Sequence, residues 1–82
     1  MKKKIVILGS TGSIGRCLIN ILKKDQKNFD VVLLTANKNI NELLQQVKLF
    51  KVKNVIITDN KKFIDFKKIL KNKNINIYNN FD

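Results

Sequence analysis

The stretch Ile5-Val6-Ile7-Leu8-Gly9-Ser10-Thr11-Gly12-Ser13-Ile14-Gly15 runs from a β-branched apolar segment into glycines spaced three residues apart. It reads as a strand, a glycine turn and the start of a helix, the arrangement in which proteins hold the pyrophosphate of a dinucleotide. Each glycine answers a separate steric need. Gly9 permits the tight turn, Gly12 lets a phosphate approach the backbone with no Cβ in the way, and Gly15 lets the helix lie close to the sheet. The amides of Ser13, Ile14 and Gly15 then meet an anion at the positive end of the helix, with the Thr11 and Ser13 hydroxyls as further donors. A Walker-type loop would close on Gly-Lys and a hydroxyl residue; this turn closes on Gly15-Arg16-Cys17, which argues against a nucleoside triphosphatase.

Outward from the turn, Lys4 to Leu8 reads as a strand covered on both faces. Ile14, Leu18, Ile21 and Leu22 recur at helical spacing up to Lys23-Lys24, and Cys17 falls on that face as a small buried group. Asp30 to Ala36 reads as a second strand, broken by Asn37-Lys38-Asn39. Asn39 with Glu42 resembles a capping box, and Ile40, Leu43, Leu44, Val47 and Phe50 form an apolar stripe behind it. Lys53 to Thr58 makes a third strand, Asp59-Asn60 caps a third helix carrying Phe63, Phe66, Ile69 and Leu70, and Ile75 to Tyr78 begins a fourth strand. The alternation predicts an α/β chain: the first half of a Rossmann-type, doubly wound parallel sheet, βαβαβα plus the start of a fourth strand. Residues 1–82 then form one partial dinucleotide-binding domain. The expected strand order is 3-2-1, with the fourth strand on the other side of the first.

Composition narrows the function classes. An 82-residue chain with 44% hydrophobic residues suits one small domain or a piece of a larger one. No run approaches the roughly 20 apolar residues of a membrane span. Met1-Lys2-Lys3-Lys4 leads into an apolar run too short for a signal peptide, so the expectation is a cytoplasmic chain without a membrane partner. With one cysteine and no histidine, the usual zinc ligands are lacking. Asp59 reads as a helix cap and Asp65 as a solvated helix position, so neither is taken as a metal ligand, and no residue is assigned a catalytic role.

The net charge of +11 invites a small basic nucleic-acid-binding domain as an alternative. The lysines are scattered over the amino terminus, helix ends and loops, Arg16 is the lone arginine, and no aromatic platform is interleaved with them. Drift toward Lys, Asn and Ile outweighs nucleic-acid binding as the explanation.

The end of the second strand is the other informative place. An acidic residue about 20 positions past the glycines ordinarily grips the ribose diol of NAD. Asn37-Lys38-Asn39 stands there instead, and a lysine flanked by amides suits the additional phosphate of NADPH, which a carboxylate would repel.

The run Ile7 to Gly15, the Ala36-x-Lys38-Asn39 step and the helix start Asn41-Glu42-Leu43 together resemble the amino terminus of the 1-deoxy-D-xylulose 5-phosphate reductoisomerase family. The resemblance spans essentially the whole chain and is most specific over the first half. It implies an NADPH-dependent enzyme that isomerises and reduces 1-deoxy-D-xylulose 5-phosphate, a sugar phosphate, to 2-C-methyl-D-erythritol 4-phosphate in non-mevalonate isoprenoid biosynthesis. It further implies NADPH contacts at Thr11, Gly12, Ser13 and Ile14 and at Asn37, Lys38 and Asn39, and a homodimer when full length. The family's divalent metal, Mg or Mn, is held by acidic residues beyond position 82. This sequence has Asn37 where the family commonly has glycine. Other reductases with a comparable turn, such as an aspartate-semialdehyde dehydrogenase or an extended short-chain dehydrogenase, remain as alternatives.

Overall fold

A computed structural model describes residues 2–71 and 73–80; Met1 and residues 81–82, the ends of the expected domain, lie outside the described residues. The elements alternate strictly: β1 (Lys3–Ile7), α1 (Ser13–Lys23), β2 (Phe29–Ala36), α2 (Ile40–Phe50), β3 (Asn54–Ile57), α3 (Asn60–Ile69) and β4 (Asn76–Tyr78). The strands are parallel throughout. Right-handed crossovers between parallel neighbours place successive helices on one face when the strand order steps in one direction. One hydrophobic cluster accordingly joins Ile19 and Leu22 of α1, Leu43 and Val47 of α2 and Phe66 of α3 to Ile7, Val31, Leu34, Val55 and Ile57 of the strands.

Pairing in β2 is interrupted where Ile5 faces Val31 but Val6 faces Leu33, which leaves Val32 as an extra residue. Such a bulge resets the alternation of side chains. Val31 and Leu34 both reach the core, while Val32 and Leu33 join Val6, Ile56 and Tyr78 along a groove on the other face of the sheet.

The sheet order is β1-β2-β3-β4, which corrects the expected placement of the fourth strand. β4 adds beside β3, with Val55 facing Ile77, not beside β1. The reason lies in α3. Phe66 is fully buried and Leu70 nearly so in the cluster shared with α1 and α2, so the third crossover steps the same way as the first two. Reaching the free edge of β1 would require α3 on the opposite face. The Asn76 amide donates to the Lys53 carbonyl at 2.8 Å and the Asn79 side chain to the Ile57 carbonyl at 2.9 Å, which ties β4 to β3.

The first helix is rotated relative to its expected face. Gly15, Ile19 and Leu22 are buried, whereas Ile14, Leu18 and Ile21 are exposed and Cys17 is an exposed free thiol. Gly15 sets this rotation, because its Cα side packs on the backbone of Gly9 and Ser10 and no bulkier face of α1 could come so near. In α3, Ile69 is likewise exposed and Leu70 takes the inward position.

The second helix follows its expected stripe, with Ile40, Leu43 and Val47 buried and Leu44 and Phe50 packed at the margin. The Asn39 side chain accepts from the Glu42 amide at 3.2 Å, half of a capping box. Glu42 does not complete it: its carboxylate accepts from Arg16 Nε at 2.9 Å and so joins α2 to α1. Asp59 caps α3 by accepting from the Lys62 amide at 3.0 Å.

Candidate dinucleotide site

The glycine turn connects β1 to α1 at the carboxyl end of the strands, where open α/β sheets bind ligands. Gly9 has φ +67°, the left-handed region, as a tight turn after a strand demands. Gly12 sits at the N-cap of α1 with no side-chain cap, and its N–H donates to the Gly9 carbonyl at 3.0 Å. A Cβ on Gly12 would meet the protein only at ordinary contact distance, 3.4 Å from the Gly9 carbonyl oxygen. A Cβ on Gly15 would sit 2.7 Å from the Ser10 Cα and closer still to the Gly9 oxygen. The two glycines therefore do different work: Gly15 is demanded by the fold, and Gly12 keeps clear a space that the protein does not fill.

Among the described residues, none accepts a hydrogen bond from the backbone N–H of Thr11, Ser13, Ile14 or Gly15. The start of α1 thus presents unpaired donors at its positive end. Ser13 and Ile14 are exposed and Thr11 is half-buried. No lysine is needed to attract an anion here.

Two residues outside the motif hold the turn in place. On β2, Thr35 uses both of its oxygens: Oγ1 accepts from the Gly9 N–H at 2.8 Å, and the carbonyl accepts from the Ser10 N–H at 2.9 Å. On α2, the Gln46 Nε2 donates to the Ser10 carbonyl at 3.0 Å. Both are buried polar residues, as is Ser10. Sequence reasoning passed over them, although each leaves a signal. Thr35 is a hydroxyl in an apolar strand, and Gln46 interrupts the stripe of Leu43, Val47 and Phe50 at an inward position.

The second half of the candidate site, Asn37-Lys38-Asn39, follows β2 directly and is exposed throughout. Asn37 is anchored from both sides: its Oδ1 accepts from the Thr58 hydroxyl at 2.9 Å and its carbonyl accepts from the Asp59 N–H at 3.2 Å. Its φ is not positive, so asparagine sits here without backbone strain. Asn39 has its Oδ1 committed to capping α2, which leaves its amide nitrogen available. Lys38 keeps an exposed ammonium between them. Since β1 and β2 are paired neighbours, both segments leave the same end of the sheet.

No cluster of three or more His, Cys, Asp or Glu side chains among the described residues could hold a metal ion. The described residues therefore do not form a metal centre by themselves. No helix among the described residues is long and apolar enough to cross a membrane.

A model of the 1-deoxy-D-xylulose 5-phosphate reductoisomerase family matches residues 5–81. The reductoisomerase of Pelagibacter ubique is 59% identical over 80 residues, covering 98% of this chain and 21% of that protein. That of Clostridium kluyveri is 40% identical over 73 residues, 89% of this chain and 19% of the other. Among solved structures, the reductoisomerase of Zymomonas mobilis in complex with NADPH superposes with a TM-score of 0.87 at 27% identity, over 95% of this chain and 21% of that one. The chain spans about a fifth of the length of the curated relatives it matches. Matched along nearly its whole length, and with the glycine turn and parallel βα order the family calls for, this chain belongs to the 1-deoxy-D-xylulose 5-phosphate reductoisomerase family.

Proposed function

We propose that these residues supply the pyrophosphate and 2′-phosphate halves of an NADPH site in an enzyme that converts 1-deoxy-D-xylulose 5-phosphate to 2-C-methyl-D-erythritol 4-phosphate. The observation that carries the reading is the start of α1, where unpaired amides surround a glycine whose missing Cβ no protein atom replaces. Bound NADPH supplies a hydride. The chain's own part is to bind and orient: Thr11, Ser13 and Ile14 hold the pyrophosphate by backbone and hydroxyl donors, and Gly12 leaves room for it beside the backbone. Asn37, Lys38 and Asn39 take the ribose and its phosphate, with Lys38 as the charge partner. The NADPH in the Zymomonas mobilis structure supports this assignment.

Residues 1–82 are on this reading part of a cofactor domain, and the catalytic residues, the Mg or Mn ligands and the sugar-phosphate pocket belong to other parts of a cytoplasmic homodimer. These 82 residues alone have no reductoisomerase activity. The test is a chimera in which this segment replaces the corresponding residues of the Pelagibacter ubique enzyme, assayed beside the isolated chain. The chimera should turn over the sugar phosphate with NADPH. Turnover by the isolated chain, or a folded chimera that does not bind NADPH, contradicts the proposal.

A further inference from the structure

We infer that Gln46 is a positioning residue for the cofactor turn, one that aims the Thr11 N–H at the dinucleotide phosphate without touching the cofactor itself. The inference rests on the NADPH reading and deepens it. Gln46 is 5% exposed, on the inward face of α2, and its Nε2 donates to the Ser10 carbonyl at 3.0 Å. Its Oε1 is buried with no hydrogen-bond partner among the described residues. The amide leaves its own oxygen unpaired, whereas its donor satisfies the carbonyl of the fully buried Ser10, which an apolar side chain would orphan. What the amide offers here is its donor.

That donor fixes the direction of one peptide group. No peptide bond among the described residues is cis, and in a trans peptide the N–H points opposite to the carbonyl of the same plane. With the Ser10 carbonyl held toward α2, the Thr11 N–H must point away from it. That N–H has no acceptor among the described residues, so it joins the unpaired donors at the start of α1.

The rest of the turn is pinned from β2. Thr35 accepts from the Gly9 and Ser10 amides, which fixes the two preceding peptide planes but leaves the Ser10–Thr11 plane without a β2 partner for its carbonyl. Gln46 supplies that third restraint. It reaches the turn from an element 36 residues away in sequence, so the peptide direction depends on the seating of α2 against β2 and α1. The Arg16–Glu42 pair links the same two helices close by, both ends lining the cleft that Gln46 also borders.

The experiment uses the full-length chimera with Gln46→Met and Gln46→Leu, which keep the bulk of the side chain and remove the donor. Steady-state kinetics with NADPH varied should show KM for NADPH raised about tenfold, the loss expected for one misdirected hydrogen bond to a charged group, with kcat within about twofold. Thermal unfolding is recorded in parallel, because a purely structural role would lower the melting temperature and leave KM in place. Unchanged KM in whichever variant folds overturns the inference while the NADPH reading stands. Failure of the unsubstituted chimera to bind NADPH overturns both.

Discussion

The Cα of Gly15, in the first turn of α1, rests on the backbone of Gly9 and Ser10 so closely that a side chain there would lie 2.9 Å from the Ser10 carbonyl carbon and nearer to other backbone atoms. Because the obstructing atoms are main chain, no rotamer change can make room. Gly15→Ala must push α1 off the turn, and overpacking of this kind costs about 3 kcal/mol or more at the upper end of its range. In an 82-residue domain that is a large share of total stability. Urea unfolding should show the variant largely unfolded in buffer; a midpoint close to the parent's would contradict the packing described.

Thr35→Val is nearly isosteric and removes the oxygen that accepts from the Gly9 N–H at 2.8 Å. A part-buried donor is then left unpaired, for which a loss of about 1–3 kcal/mol is expected. Hydrogen exchange should localise the effect, with the Gly9 amide losing its protection while the β2–β3 ladder keeps its own. Equal protection in both proteins would mean that Thr35 does not restrain the turn.

Most of the fold is legible in the sequence because strands, helices and caps are local. The apolar run before Gly9, the stripe from Ile40 to Phe50 and the caps at Asn39 and Asp59 all rest on residues a few positions apart. What escapes is long-range. The rotation of α1 follows from a residue with no side chain, so the most hydrophobic face, Ile14, Leu18 and Ile21, points outward while Gly15 points in. The side on which β4 pairs depends on which face of the sheet α3 covers, a choice fixed by the burial of Phe66 and Leu70 and not by any motif. In the site, the glycine spacing reveals the turn but not its supports, because Thr35 and Gln46 act across 26 and 36 residues respectively.

Lys38 decides cofactor preference on this account. It is exposed, flanked by Asn37 and Asn39 whose side-chain oxygens are already engaged, and so is the one charged group of that segment. Lys38→Glu in the chimera should raise KM for NADPH at least tenfold and change KM for NADH by less than about threefold, because only NADPH carries the phosphate that the new carboxylate repels. Equal losses with both cofactors would reduce Lys38 to a solvated charge.

The most direct test concerns Gly12, whose added Cβ would meet the protein only at 3.4 Å and whose backbone is in an extended conformation open to any residue. Alanine there should leave the melting temperature of the chimera within a few degrees of the parent, while the methyl group occupies the space assigned to the pyrophosphate. The measurement is NADPH binding to Gly12→Ala by fluorescence titration beside thermal unfolding of the same sample. The account predicts a folded protein whose Kd for NADPH rises at least tenfold; a folded variant that binds NADPH as the parent does would contradict it.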